Sequence, residues 1–187
     1  MNPIFSAALE VQSICQEKGW RFCFIGGLAV QRWGEPRLTQ DVDVTILTGF
    51  GSEAPFVDSL LARFTGRLPD ARAFALRNRV LLLESSAHVP IDVALGAMPF
   101  EERAVQRSTD YLVVGGAALR TCGAEDLVVF KVFAGRERDW MDVEGIVSRQ
   151  GASLDTALIL RESKPLLDLK GETAAFERLR RVLDQAR

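Results

Sequence analysis

Apolar positions recur at helical spacing from Pro3 to Glu17, where Ile4, Phe5, Ala8, Leu9 and Cys15 fall on one side and Gly19 ends the run. Trp20 to Ile25 is a short apolar segment of strand character that stops at Gly26-Gly27. A short helix is predicted over Leu28 to Trp33, halted by Gly34 and Pro36. Asp41 to Leu47 alternates and is β-branched, which predicts a strand. A helix over Ala54 to Phe64 precedes a turn at Gly66 to Asp70. Phe74 to Glu84 and His88 to Leu95 read as two strands parted by Ser85, Ser86 and Ala87, hence a hairpin. Glu101 to Arg107 reads as a helix, and Tyr111 to Val114 as the last strand, before Gly115-Gly116.

Beyond that point the period is helical throughout, over Ala124 to Ala134, Trp140 to Arg149, Leu154 to Glu162 and Thr173 to Ala186. Trp140, Val143, Ile146 and Val147 share one face, as do Phe176, Leu179 and Leu183, and Gly135 to Asp139 reads as an interhelical turn. The pattern therefore divides near residue 118 into an α/β first part and a helical second part.

A chain of 187 residues with 48% apolar and 26% charged positions has the makings of an ordinary folded core. No apolar run reaches membrane-spanning length and the N-terminus lacks a signal-peptide pattern, so the expected compartment is the cytoplasm, with no membrane partner. Cys15, Cys23 and Cys122 are scattered and His88 is the single histidine, which argues against a disulfide framework or a Cys/His zinc site. The net charge of -2 provides no general attraction to nucleic acid. Locally, Arg63, Arg67, Arg72, Arg77 and Arg79 could form a basic patch or a solvated face.

Two carboxylates interrupt the strand at Asp41 to Leu47. Side chains alternate along a strand, so Asp41 and Asp43 point to one side while Val42 and Val44 point to the other. Paired like charges need water or a cation to compensate them, and such a pair suits the oxygen-preferring Mg²⁺. An acidic strand face turned to solvent fits the same pattern. Asp92 repeats the arrangement between Ile91 and Val93. Should that strand neighbour the first, three carboxylates converge, enough for two ions in an in-line displacement at phosphorus. Gly26-Gly27, after a strand and before a helix, gives backbone amides an unobstructed approach to phosphate, although a tight turn would use the same residues.

The assembled motif, GG-x13-DVD followed by IDV, resembles the nucleotidyltransferase superfamily that shares the DNA polymerase β catalytic fold. AEDLVVFKVFAGRERDWMDVEGI, Ala124 to Ile146, resembles the helical segment of the AbiEii/AbiGii toxin-like group. GGLAVQRWG with TQDVDV is also similar to aminoglycoside nucleotidyltransferases and, more distantly, to tRNA nucleotidyltransferases. The resemblance covers roughly residues 20 to 150. It implies an α/β (α+β) fold, a mixed sheet flanked by helices. Residues 1–118 would form the catalytic core and 119–187 a C-terminal helical region.

By this resemblance Gly26 and Gly27 contact the phosphates of a nucleoside triphosphate, ATP being one candidate. Asp41, Asp43 and Asp92 hold Mg²⁺ or Mn²⁺, and Asp92 also helps deprotonate the attacking hydroxyl. Lys131 is implied near the phosphates or the acceptor, with a snorkelling surface lysine as its alternative. Arg37 and Thr39, just ahead of the acidic pair, are candidate phosphate contacts or simple loop residues. Asp139 and Asp142 read as caps or partners of Arg136 and Arg138 rather than as metal ligands. Leu28 stands where the polymerase-like pattern often has serine, which removes one hydroxyl and bears on the subfamily.

The expected activity is transfer of a nucleoside monophosphate to an acceptor hydroxyl with release of pyrophosphate. The toxin-like relatives suggest tRNA, other RNA or protein as acceptor, with a cognate antitoxin as candidate partner; the resistance-type relatives suggest a small molecule. Two alternatives stand beside it: an inactive nucleotide-binding protein of the same fold, and a metal-dependent glycosyltransferase whose DxD binds a nucleotide-sugar. The early glycine pair and Asp92 favour nucleotidyl transfer over the latter.

Overall fold

The computed structural model describes residues 2–113 and 116–185. The chain divides into two compact units, Met1–Leu28 with Leu38–Cys122, and Ala29–Arg37 with Gly123–Arg187.

The first unit opens with α1 (Pro3–Glu17), where Asn2 accepts a hydrogen bond from the Ile4 amide at 3.0 Å, Pro3 sits in the first turn, and Gly19 reverses the chain at φ +66°. Strand β1 (Phe22–Phe24) leads into α2 (Gly26–Trp33), then come β2 (Val42–Leu47), α3 (Ala54–Leu61) and β3 (Thr65–Gly66). The run continues with α4 (Ala71–Asn78), β4 (Val80–Glu84), β5 (Pro90–Gly96), α5 (Pro99–Arg107), β6 (Thr109–Leu112) and β7 (Ala118–Thr121). The strands form one mixed sheet in the order β3-β4-β5-β2-β1-β7-β6. Pairs β2/β5 and β1/β7 are parallel, and the others antiparallel.

Alternation decides what the sheet buries. Val42, Val44 and Ile46 of β2 join Ile91, Val93 and Leu95 of β5 and Leu81 and Leu83 of β4 in one apolar cluster. Ala7, Ala8, Val11, Ile14 and Cys15 of α1 pack into the same cluster. The residues of opposite parity, Asp43 and Asp92 among them, are thereby sent to the other face.

The mixed sheet with flanking helices and a helical C-terminal region is as expected, and so is the β4/β5 hairpin. Its turn is closed by Ser85 and Val89, with His88 at φ +57° and its side chain in solvent. Several elements differ. The strand expected over Phe74 to Glu84 is a helix followed by a strand. Ala71, Ala73 and Ala75 favour the helix, and Arg79, left-handed at φ +58°, closes it with its amide on the Ala75 carbonyl. Strand β7 has no counterpart among the sequence expectations; its register on β6 and its single link to β1 hold it in the sheet. The strand expected over Tyr111 to Val114 is β6, shifted towards the N-terminus, and Val114 and Gly115 lie outside the described residues.

The second unit holds α2 from Ala29 onward, α6 (Ala124–Ala134), α7 (Glu137–Gln150), a 3-10 turn at Gly151–Ser153, α8 (Thr156–Lys170) and α9 (Thr173–Gln185). Gly135, at φ +74°, ends α6 as a left-handed cap, so the turn before α7 is shorter than Gly135 to Asp139. Helix α8 runs past the expected end at Glu162 and through Pro165; burial of Leu166 and Leu167 offsets the lost backbone bond. Ala186, the expected end of the last helix, lies outside the described residues. No described helix is long and apolar enough to cross a membrane.

Candidate active site

Asp43 and Asp92 are direct partners across the parallel β2/β5 pair. Strands so paired run about 4.8 Å apart and direct matched residues to the same face, which sets the two carboxylates side by side. Arg67, just after β3, donates from Nη2 to Asp92 Oδ1. The Arg67 backbone is fixed as well, its amide bonded to the Leu82 carbonyl at 3.0 Å, and Leu82 is the partner of Asp92 on β4.

Asp41 lies one residue before the β2 ladder begins. The Thr39 hydroxyl donates to Asp41 Oδ1 at 2.9 Å, and Thr39 is itself buried. The glycine pair meets these residues closely. A Cβ at Gly26 would overlap the Asp43 carboxylate, and one at Gly27 would overlap the Thr39 hydroxyl. Gly26 also holds φ at +58°, a left-handed turn into α2 that disfavours any side chain. The glycines are therefore required by packing against the acidic segment, besides leaving backbone amides approachable at a helix start.

Among the described residues no three Asp, Glu, His or Cys side chains gather closely enough to cage a metal ion. Two neighbouring carboxylates are nonetheless a donor set that fits Mg²⁺, which takes one or two carboxylates and fills its remaining positions with water and phosphate oxygens.

Of the other candidates, Arg37 and Lys131 belong to the second unit, where both converge on Asp142. Arg37 makes a two-pronged contact, Nε to Oδ1 at 2.7 Å and Nη2 to Oδ2 at 2.9 Å. Lys131 Nζ lies 2.8 Å from Asp142 Oδ2 and 3.0 Å from Asp139 Oδ1. The lysine is buried, and Asp139 and Asp142 are nearly closed to solvent. Burial works against ionising both acids, but it is outweighed at Asp142 by hydrogen bonds from Arg37 and Lys131, and at Asp139 by those from Arg136 and Lys131. Both carboxyls stay below the usual range. Asp139 also caps α7 by accepting the Arg136 amide at 3.2 Å, as expected of it. The lysine amid apolar neighbours has found its anion inside the protein.

Sequence reasoning missed Arg67 and the meeting of Arg37 with Lys131. The signal for Arg67 was the arginine cluster, which the structure resolves partly into ion pairs: Arg67 with Asp92, Arg72 with Asp58, and Arg79 with Glu53. These three arginines do not present unbalanced charge.

No family model and no curated protein sequence matches the chain significantly. Among solved structures, the antibiotic-resistance factor ANT(2'')-Ia matches with a TM-score of 0.54 at 16% identity, over 95% of this chain and 97% of that one. The chain has the nucleotidyltransferase fold. An antigenic nucleotidyltransferase-like protein from Paracoccidioides brasiliensis is similar with a TM-score of 0.48 at 12% identity, over 91% and 89% of the two chains. The lincosamide antibiotic adenylyltransferase LnuA, bound to lincomycin, gives 0.47 at 10% identity, over 75% and 94%. Within the nucleotidyltransferase fold, the acidic pair occupies two parallel central strands and the glycine pair the first turn of α2.

Proposed function

We propose that the protein is a metal-dependent nucleotidyltransferase that moves a nucleoside monophosphate from a nucleoside triphosphate to an acceptor hydroxyl. The observation that carries this is the register of Asp43 on Asp92, two carboxylates on adjacent strands whose other face is wholly apolar. Adjacent carboxylates repel unless a cation compensates them, which makes the pair a candidate ion site.

Asp43 and Asp92 would hold the ion, with Asp41, oriented by Thr39, as the further acid. Bound Mg²⁺ would neutralise phosphoryl charge and polarise the reacting phosphorus. Gly26 and Gly27 would admit the triphosphate against the start of α2, where amides of a first helical turn face outward. Asp92 would accept the proton of the attacking hydroxyl at a carboxylate oxygen. The protein's contribution is chiefly positioning. This reading needs neither Arg37 nor Lys131 at the phosphates, since Asp142 and Asp139 engage both charges.

A second reading, nucleotide binding without turnover, starts from the ion pair that already engages Asp92 with Arg67. The acceptor classes are RNA, including tRNA, protein, and small polyhydroxylated molecules; toxin-like action with an antitoxin partner would follow from the first two. Labelled nucleoside triphosphates with Mg²⁺ and each acceptor class decide between the readings. Pyrophosphate release with label on one acceptor establishes transfer, whereas metal-dependent nucleotide binding without release on any acceptor establishes the second reading.

A further inference from the structure

Two carboxylates side by side are costly in the absence of an ion, so their surroundings should compensate them. The structure contains such a compensation at Asp92, and it comes from an arginine that none of the functional roles above uses. Arg67 reaches Asp92 from a backbone anchored on Leu82, the strand neighbour of Asp92 itself. The guanidinium is thus delivered to one carboxylate by the sheet's own register.

The exposure of the pair distinguishes it from the enclosed ion pairs at Asp142. The side chains of Arg67 and Asp92 are 30% and 37% exposed, whereas Asp142, held by Arg37 and Lys131, is 5% exposed. A carboxylate enclosed like Asp142 cannot change partners without leaving buried charge unpaired. One open to water can, because water takes over the released guanidinium at small cost.

We propose that Arg67 is a resident counter-cation for Asp92: it holds the carboxylate in the metal-free protein and leaves it when a divalent ion binds, so that metal and Arg67 compete for Asp92. This rests on the metal-dependent reading of the site. It makes metal affinity a property that Arg67 sets from outside the ligand set.

The test is Mn²⁺ titration of the full-length, metal-free protein, with free Mn²⁺ read by electron paramagnetic resonance. Arg67→Ala should bind Mn²⁺ about tenfold more tightly than wild type, which corresponds to about 1.4 kcal/mol. Arg67→Lys, which keeps the charge but loses the planar fork, should fall between them. Adding Asp92→Asn to Arg67→Ala should abolish the gain. Circular dichroism checks each fold, and Arg67→Lys alone carries the comparison if the alanine variant does not fold. Unchanged or weaker binding in the Arg67 variants, with wild type still binding Mn²⁺, overturns the competition and leaves the metal-dependent reading standing. Silence from wild type and Arg67 variants alike overturns both.

Discussion

The Asp43 carboxylate rests in the space that a side chain at Gly26 would need. This contact ties the first turn of α2 to the acidic strand so closely that neither can shift alone. Gly26→Ala must therefore displace Asp43 and also adopt a left-handed φ of +58°. It should cost about 1–3 kcal/mol of stability, read by urea unfolding. Pyrophosphate release should fall by about a hundredfold or more, the scale on which misplaced charge stabilisation costs rate.

The register of Asp43 on Asp92 predicts that the two acids fail together. Asp43→Ala and Asp92→Asn should each lower pyrophosphate release by at least about a hundredfold while retaining wild-type circular dichroism. Full turnover by either variant would remove it from the catalytic assignment.

Asp142 joins Arg37 to Lys131, and its loss removes the buried carboxylate that the two cations share. Asp142→Ala should destabilise the protein by about 3–5 kcal/mol in urea, the cost of breaking a buried pair from one side. Replacing Asp58, whose bridge to Arg72 is exposed on both sides, should cost at most about 1 kcal/mol. Equal losses at the two positions would contradict the burial argument.

Acid should weaken the second unit through the same acids. The folded pKa values of Asp139 and Asp142 lie below the ordinary carboxylate value of about 3.9. Their stabilisation is therefore complete above that value and is lost as pH falls through the lower folded values. Urea midpoints of wild type and Asp142→Asn should differ most near neutral pH and converge as pH drops below about 4. A constant gap across that window would exclude Asp142 as a source of acid sensitivity.

All three cysteines are buried and none forms a disulfide. Burial pushes the Cys15 thiol up to about 12, so little thiolate is available to react. A thiol reagent should label the native protein slowly and all three positions rapidly in denaturant. Fast native labelling at Cys15 would mean that α1 opens readily from the sheet.

The motif residues were readable in the sequence because local pattern carries them. Alternation alone sends Asp43 and Val44 to opposite faces, and the glycine pair announces a constrained turn. The partners of those residues were not readable, because they depend on non-local register. Nothing near Arg67 in the chain indicates Asp92, and nothing near Arg37 indicates Asp142; sheet pairing and helix packing create both contacts. The helix over Ala71–Asn78 was obscured for a different reason. Its apolar positions, Ala71, Phe74, Ala75 and Leu76, run straight into Val80 and Leu81, and only the left-handed Arg79 marks where one period yields to the other. Strand β7 was hidden by its shortness and by Arg120, whose solvent-facing charge breaks an apolar run.

The parallel pairing of β2 with β5 has a consequence for how the protein comes to be active. Between those strands the chain must lay down α3, β3, α4 and β4, and parallel partners cannot meet through a tight turn. The acidic pair therefore exists only once a long crossover has closed. A nascent chain still on the ribosome, with β5 not yet emerged, carries the glycine turn and Asp43 but no site. Synthesis itself thus withholds the acidic pair until β5 is available to pair with β2.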